Sequence, residues 1–220
     1  MPTGLALNLA HTSVFCDFDG TITTADVGQH LLARFATDEW LRFHDEYDAG
    51  VIGSRECLVS QWDLVTPDEA IWRAVAAEVP IDAGFAPLAA ALRAAGAQLL
   101  VVSDGFGFYA EQVCADLDVP VLTNRIDWTT GRLEFPHEDR CCACATCGVC
   151  KQAPIKDAHR AGRTTMLIGD GTSDRKAALL ADVVFAKGDL AAWCSHYDVP
   201  HHRFDTLTDV HTALFASPRA

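Results

Sequence analysis

Short apolar runs punctuate the chain at 13–18, 98–102, 165–169 and 182–186, with a weaker one at 119–123. Each is nearly continuous in apolar residues, as expected of strands covered on both faces. Between them the spacing turns helical, over 87–95, 109–117, 155–161 and 173–181. Strands alternating with helices of this length predict an α/β fold, a Rossmann-like parallel sheet built from βαβ units.

Two stretches break the rhythm. From 26 to 79 no strand pattern appears, and apolar residues recur at helical spacing: Leu31, Leu32 and Phe35, then Leu58, Trp62 and Val65, then Ile71, Trp72 and Val75. Within it "TPDEA" at 66–70 places Thr66 as a helix N-cap and Pro67 at the first helical position. This predicts a helical cap over 25–81, inserted into a core formed by 1–24 and 82–220. Its tryptophans, Trp40, Trp62 and Trp72, read as packing residues. The second stretch, 124–150, lies within the core. It opens on "RIDWTTGRLEF", a β-hairpin pattern around Thr129, Thr130 and Gly131, and runs into a cysteine-rich segment.

Composition is that of an ordinary globular protein, but the net charge of −13 is not neutral in its consequences. A surface this acidic repels nucleic acid and anionic membranes, which excludes both as expected partners. It would also repel an anionic metabolite, unless a cation or a lysine reverses the field at its site. The first residues lack the basic region and apolar core of a secretory signal, and no apolar run spans a membrane, so the expectation is a cytoplasmic protein. Nine cysteines, four of them scattered, fit reduced thiols.

The candidate chemistry sits where strands end, the edge at which open α/β sheets place ligands. "FCDFDGT" at 15–21 sets Asp17 and Asp19 at the end of the first run. Two crowded carboxylates are unfavourable unless a cation joins them or one keeps a proton, and Mg²⁺ with oxygen ligands suits such a pair. "VVSDGFG" sets Ser103, Asp104 and Gly105 at the end of the second, a hydroxyl and amides suited to an anion. "LIGDGTSD" sets Asp170 and Asp174 at the end of a later one, with Lys156 upstream in "APIKD".

These four elements, in this order, resemble the motifs of haloacid dehalogenase superfamily phosphatases, and the resemblance covers nearly the whole chain because an early helical cap is also a family trait. It implies that Asp17 is the nucleophile, forming an aspartyl phosphate, and that Asp19 is the general acid and base. It implies Mg²⁺ on the Asp17 carboxylate, the Asp19 backbone carbonyl and Asp170, with Asp174 supporting that shell. Ser103 with the neighbouring Asp104 and Gly105 amides would bind phosphoryl oxygens, and Lys156 would steady the charges. The early cap resembles the phosphoserine phosphatase branch. Within that branch, "FCDFDGTIT" and the His-and-cysteine segment look most like the methionine-salvage phosphatases, with phosphoethanolamine/phosphocholine phosphatases as relatives. The expected partner is a small phosphomonoester, hydrolysed or, alternatively, used to phosphorylate an acceptor alcohol. A cysteine-based metal-binding interaction module is the reading from another class.

"CCACATCGVC" at 141–150 holds five of the nine cysteines. Cys141, Cys144, Cys147 and Cys150 form a candidate Zn²⁺ site, set against a loop of reduced thiols.

Overall fold

The computed structural model describes residues 7–140 and 145–216. Strand β1 (Thr12–Cys16) leads into helices α1 (Val27–Phe35), α2 (Glu39–Asp48), α3 (Ser54–Trp62), α4 (Glu69–Ala76) and α5 (Phe85–Ala94). There follow β2 (Gln98–Val102), α6 (Phe108–Asp116), β3 (Val121–Leu122) and a hairpin of β4 (Arg125–Asp127) and β5 (Arg132–Glu134). The chain then forms α7 (Gln152–Arg160), β6 (Thr164–Gly169), α8 (Arg175–Ala178), β7 (Val183–Ala186), α9 (Gly188–His196), β8 (His202–Arg203) and α10 (Leu207–Phe215). Among the described residues no helix is long and apolar enough to cross a membrane.

The six-stranded sheet has the order β3-β2-β1-β6-β7-β8, and its neighbouring strands are parallel. Strand β1 lies between β2 and β6, so the chain leaves it toward one side and later builds on the other. That reversal opens a crevice at the carboxyl end of β1. Alternate β1 residues face two cores. Val14 and Cys16 pack with Leu88, Tyr109 and Val210, whereas Phe15 packs with Ile155, Ala177 and Leu190. Burial on both faces explains why the strands read as continuous apolar runs rather than alternating ones.

The four helices after β1 contribute to the first of these cores. Trp72, 1% exposed, meets Trp62 at 5.5 Å and Phe106 at 5.8 Å between ring centroids, and Phe35 stacks on it at 5.8 Å. The hairpin braces the same cluster: Trp128 packs edge-on against Phe108, and Trp62 Nε1 donates to the Gly131 carbonyl at 3.0 Å. The three tryptophans expected to pack do so, each buried. Where the chain leaves and re-enters the sheet domain, its two crossings pair. Thr23 bridges Ile81, the Thr24 amide donates to Pro80 and the Asp82 amide to Ile22.

Local differences from the sequence pattern have physical causes. Helix α4 is capped by Asp68, whose carboxylate accepts from the Ile71 amide at 3.0 Å, rather than by Thr66. The helix expected over 173–181 contracts to a 3₁₀ turn at Thr172–Asp174 and the single turn of α8. There the Asp174 side chain turns back to accept from the Asp170 and Gly171 amides, which tightens the first turn. The elements beyond β7 have no counterpart in the sequence reading.

Candidate active site

Strand β1 ends one residue before Asp17, whose amide continues the ladder by donating to the Ile168 carbonyl at 2.9 Å. The chain then turns tightly: the Thr21, Ile22 and Thr23 amides all converge on the Phe18 carbonyl. Gly20 makes this turn possible. Its φ is +72°, and a Cβ there would lie 2.3 Å from Asp170 Oδ2. The turn therefore seats Asp17 beside Asp170, and Thr21 Oγ1 fixes Asp170 by donating to its Oδ1 at 2.8 Å.

Carboxylate oxygens of Asp17, Asp170 and Asp174 come within 4.8 Å of one another. Burial drives their pKa values up, to about 7 for Asp17 and about 6 for Asp170 and Asp174. At Asp17 the opposing pull of a lysine is not enough to cancel burial. Such a set of crowded oxygen-only donors, two buried and Asp170 half-buried, fits a hard divalent cation of the Mg²⁺ type, which would repay the cost of ionising them. Asp174 stands behind the other two, engaged with the lysine and with two amides.

That lysine is Lys151. Its Nζ lies 2.6 Å from Asp17 Oδ1, 2.8 Å from Asp174 Oδ1 and 2.7 Å from Ser173 Oγ. Burial works against the ammonium, but the two carboxylates outweigh it and raise its pKa above that of an ordinary lysine. Lys156, the lysine expected from the sequence, is exposed on α7. The reason is directional. Helix α7 precedes a strand parallel to β1, so it runs away from the carboxyl edge of the sheet. Lys151 is its N-cap, whereas Lys156 sits about 7–8 Å farther along at 1.5 Å per residue.

Asp19 points the other way, toward the cap. Its Oδ1 accepts from the Val27 amide at 3.1 Å, and its Oδ2 from Tyr109 Oη at 3.2 Å and Ser103 Oγ at 3.3 Å. Burial, then the charges of Asp26 and Asp17, push its pKa well up. Ser103 is wholly buried, and its Oγ also accepts from the Gly105 amide at 3.2 Å. Gly105 is small by necessity: a Cβ there would meet Tyr109 Oη at 2.5 Å and Asp19 Oδ2 at 2.6 Å. The Asp104 side chain faces away from Ser103 and Asp19. Its carboxylate turns to Ser54, Asn124 and the Val149 amide.

A cleft of about 540 Å³ opens over Asp17 and Asp19 and is roofed by residues of α1, α2 and α3. Asp26, a candidate for recognising substrate, caps α1 by accepting from the Gln29 amide at 2.7 Å and also lines the cleft. His30 and Arg34 pair with Glu78 on the surface, and Trp62 is cap core. Of the expected zinc ligands, Cys141 and Cys144 lie outside the described residues. Cys147 is half-buried and Cys150 buried. Among the described residues the only group of side chains close enough to share a metal ion is the aspartate trio.

Three contributors were missed in the sequence: Lys151, Tyr109 and Thr21. Lys151 had a usable signal, since it directly precedes a helix that returns from the carboxyl edge. The tyrosine and threonine reach their carboxylates across 90 and 149 residues of chain, and no local spacing announces that.

Comparison with known proteins gives the family. A 2-hydroxy-3-keto-5-methylthiopentenyl-1-phosphate phosphatase of Brevibacillus brevis is 31% identical over 204 residues, 90% of this chain and 92% of the relative. The protein of that name from Geobacillus kaustophilus is 31% identical over 208 residues, 91% and 94% of the two chains. A solved phospho-aspartyl intermediate analogue of phosphoserine phosphatase shares the fold, with a TM-score of 0.69 at 18% identity over 90% of this chain and 96% of that one. The description "haloacid dehalogenase-like hydrolase" matches residues 14–179, and the chain belongs to that family.

Proposed function

We propose that the chain is a divalent-cation-dependent phosphomonoesterase that works through an aspartyl phosphate on Asp17. The observation that carries this reading is the split between two aspartates only two residues apart. Asp17 is buried against Lys151 and Asp170, while Asp19 is held by Val27, Ser103 and Tyr109, where burial raises its pKa and favours the protonated form. One environment suits a nucleophile and the other a proton donor.

In the first step an Asp17 oxygen bonds to phosphorus as the bond to the alcohol oxygen breaks, and Asp19 gives that oxygen its proton. In the second, Asp19 takes a proton from water, the water oxygen bonds to phosphorus, and the bond to Asp17 breaks to release phosphate. Lys151 balances the charge on Asp17 and on the phosphoryl oxygens throughout. Asp17, Asp170 and the Asp19 backbone carbonyl would hold Mg²⁺, with Asp174 behind them, and the bound ion offsets the negative charge of the phosphoryl group.

The cleft supports a substrate class as well. Its roof combines apolar Leu32 and Leu58 with the amides of Gln29 and Gln61, and Asp26 and Asp48 add negative charge. Lys187, on the sheet domain, is the one lysine or arginine in the lining among the described residues. A leaving group carrying a carboxylate, as in phosphoserine, would meet Asp26 and Asp48 in this roof and no lysine or arginine, with His44 the one basic side chain there among the described residues. A neutral alcohol with an apolar end fits, which favours 2-hydroxy-3-keto-5-methylthiopentenyl-1-phosphate, the substrate in the names of the relatives. The test is turnover of that compound, phosphoserine and p-nitrophenyl phosphate in Mg²⁺ buffer. Expected are preference for the first over phosphoserine and a loss of roughly 10⁴-fold or more in Asp17→Asn for all three. Undiminished turnover by a folded Asp17→Asn protein would remove the assigned nucleophile.

A further inference from the structure

The loop that delivers Lys151 is not held by the sheet alone. Asp104, at the tip of β2, accepts from the Val149 amide at 2.7 Å and from Asn124 Nδ2 at 3.3 Å through Oδ1, and from the Ser54 hydroxyl through Oδ2. Ser54 begins α3, in the cap, and its Oγ in turn accepts from the Gly148 amide at 3.2 Å. Next to it the Arg55 amide donates to the Thr146 carbonyl at 3.2 Å. The approach is close enough that a Cβ on Gly53 would fall 2.3 Å from Thr146 O, and one on Gly148 2.6 Å from Asp104 Oδ1. One carboxylate thus ties together the strand that carries Ser103, the cap, and the segment ending in Lys151.

We infer that Asp104 is a positioning residue that fastens the Lys151 loop to the cap, and so sets the lysine against Asp17. Both Asp104 oxygens are already engaged by protein donors, which leaves it poorly placed to recognise substrate. Lys151 follows Val149 by two residues, and its ammonium must reach two carboxylates and Ser173 at once. Loss of the tie frees the loop by an ångström or so, enough to lower catalysis without removing any group that touches the substrate.

The inference rests on the reading of Lys151 as the charge-balancing lysine, and a double-mutant cycle separates the two. Asp104→Ala is expected to lower kcat about 10- to 100-fold in the wild-type background. In a Lys151→Met background the same change should cost less than about twofold, because the group being positioned is gone. Asp104→Asn, which still accepts from Val149 and can pair with Ser54, should recover most of the activity. An equal loss in both backgrounds, or an Asn variant as poor as the Ala one, overturns the proposal. If Asp104→Ala does not fold, Ser54→Ala replaces it in the cycle, with the same two outcomes. A Lys151→Met enzyme as active as wild type would instead sink the lysine reading itself.

Discussion

Lys151 and Lys156 are five residues apart, share one chemistry, and differ in everything that matters. One is buried between two carboxylates and the other exposed on the flank of α7. Lys151→Met is therefore expected to lower kcat for p-nitrophenyl phosphate about 10²- to 10³-fold, as when one donor to developing negative charge is lost. Lys156→Met should stay within about twofold of wild type, as surface changes usually do. Steady-state kinetics on the pair decides between them, and equal losses would dissolve the distinction. At this scale the sequence was legible wherever a residue's role follows from its place at a strand end. Asp17, Asp19, Ser103, Asp170 and Asp174 all lie in the cluster that their positions imply. It was not legible where role depends on which end of a helix faces the site, because a lysine five residues too late reads the same in one dimension.

Among elements, the α/β alternation translated directly because β1, β6 and β7 are buried on both faces, as is the carboxyl end of β2, and their apolar runs have no competing reading. The cap was equally readable as helices, but its packing was not. Nothing in the spacing says that Trp72 of α4 meets Phe106 after β2 and Trp128 of the hairpin. Those contacts make Trp72 the point where three elements share one apolar core. Trp72→Ala should cost about 3–5 kcal/mol in urea unfolding, the usual toll for emptying a large aromatic site. A cost below about 1 kcal/mol would mean that the cap does not unfold together with the sheet. The short elements were harder. Strand β8 is two exposed residues, and α8 is a single turn shaped by the Asp174 side chain rather than by periodicity.

For the whole molecule the dominant electrostatic fact is a buried acidic centre in an acidic protein. Asp17, Asp170 and Asp174 titrate from 3.8 in the unfolded chain to about 7, 6 and 6 in the folded one, chiefly through burial. Between about pH 4 and pH 7 the folded state therefore binds more protons than the unfolded state, so stability falls as pH rises through that window. Lys151, raised rather than lowered, keeps its contribution across the whole interval. The cation-free protein should accordingly melt several degrees lower at pH 8 than at pH 5. Mg²⁺ should restore most of the difference at pH 8 and add little at pH 5, where protons compete for the same oxygens. Calorimetry with and without Mg²⁺ reads both effects, and a melting temperature indifferent to Mg²⁺ at pH 8 would count against the trio as a cation site.

The pairing of Thr23 with Ile81 sets the two chain crossings side by side, one bridge apart. Everything between them is, in covalent terms, a cassette whose ends meet, so a turn of a few residues could close the gap and leave β1 untouched, at the loss of the Val27 amide that holds Asp19. Such a segment can be exchanged in evolution or in the laboratory without re-registering the sheet. The condition is set underneath. An incoming roof must bring its own apolar underside for Phe106 and Phe108, and a partner for Asp104 where Ser54 now stands. Leaving-group preference is then free to drift with the roof, while the phosphoryl chemistry stays fixed in the floor.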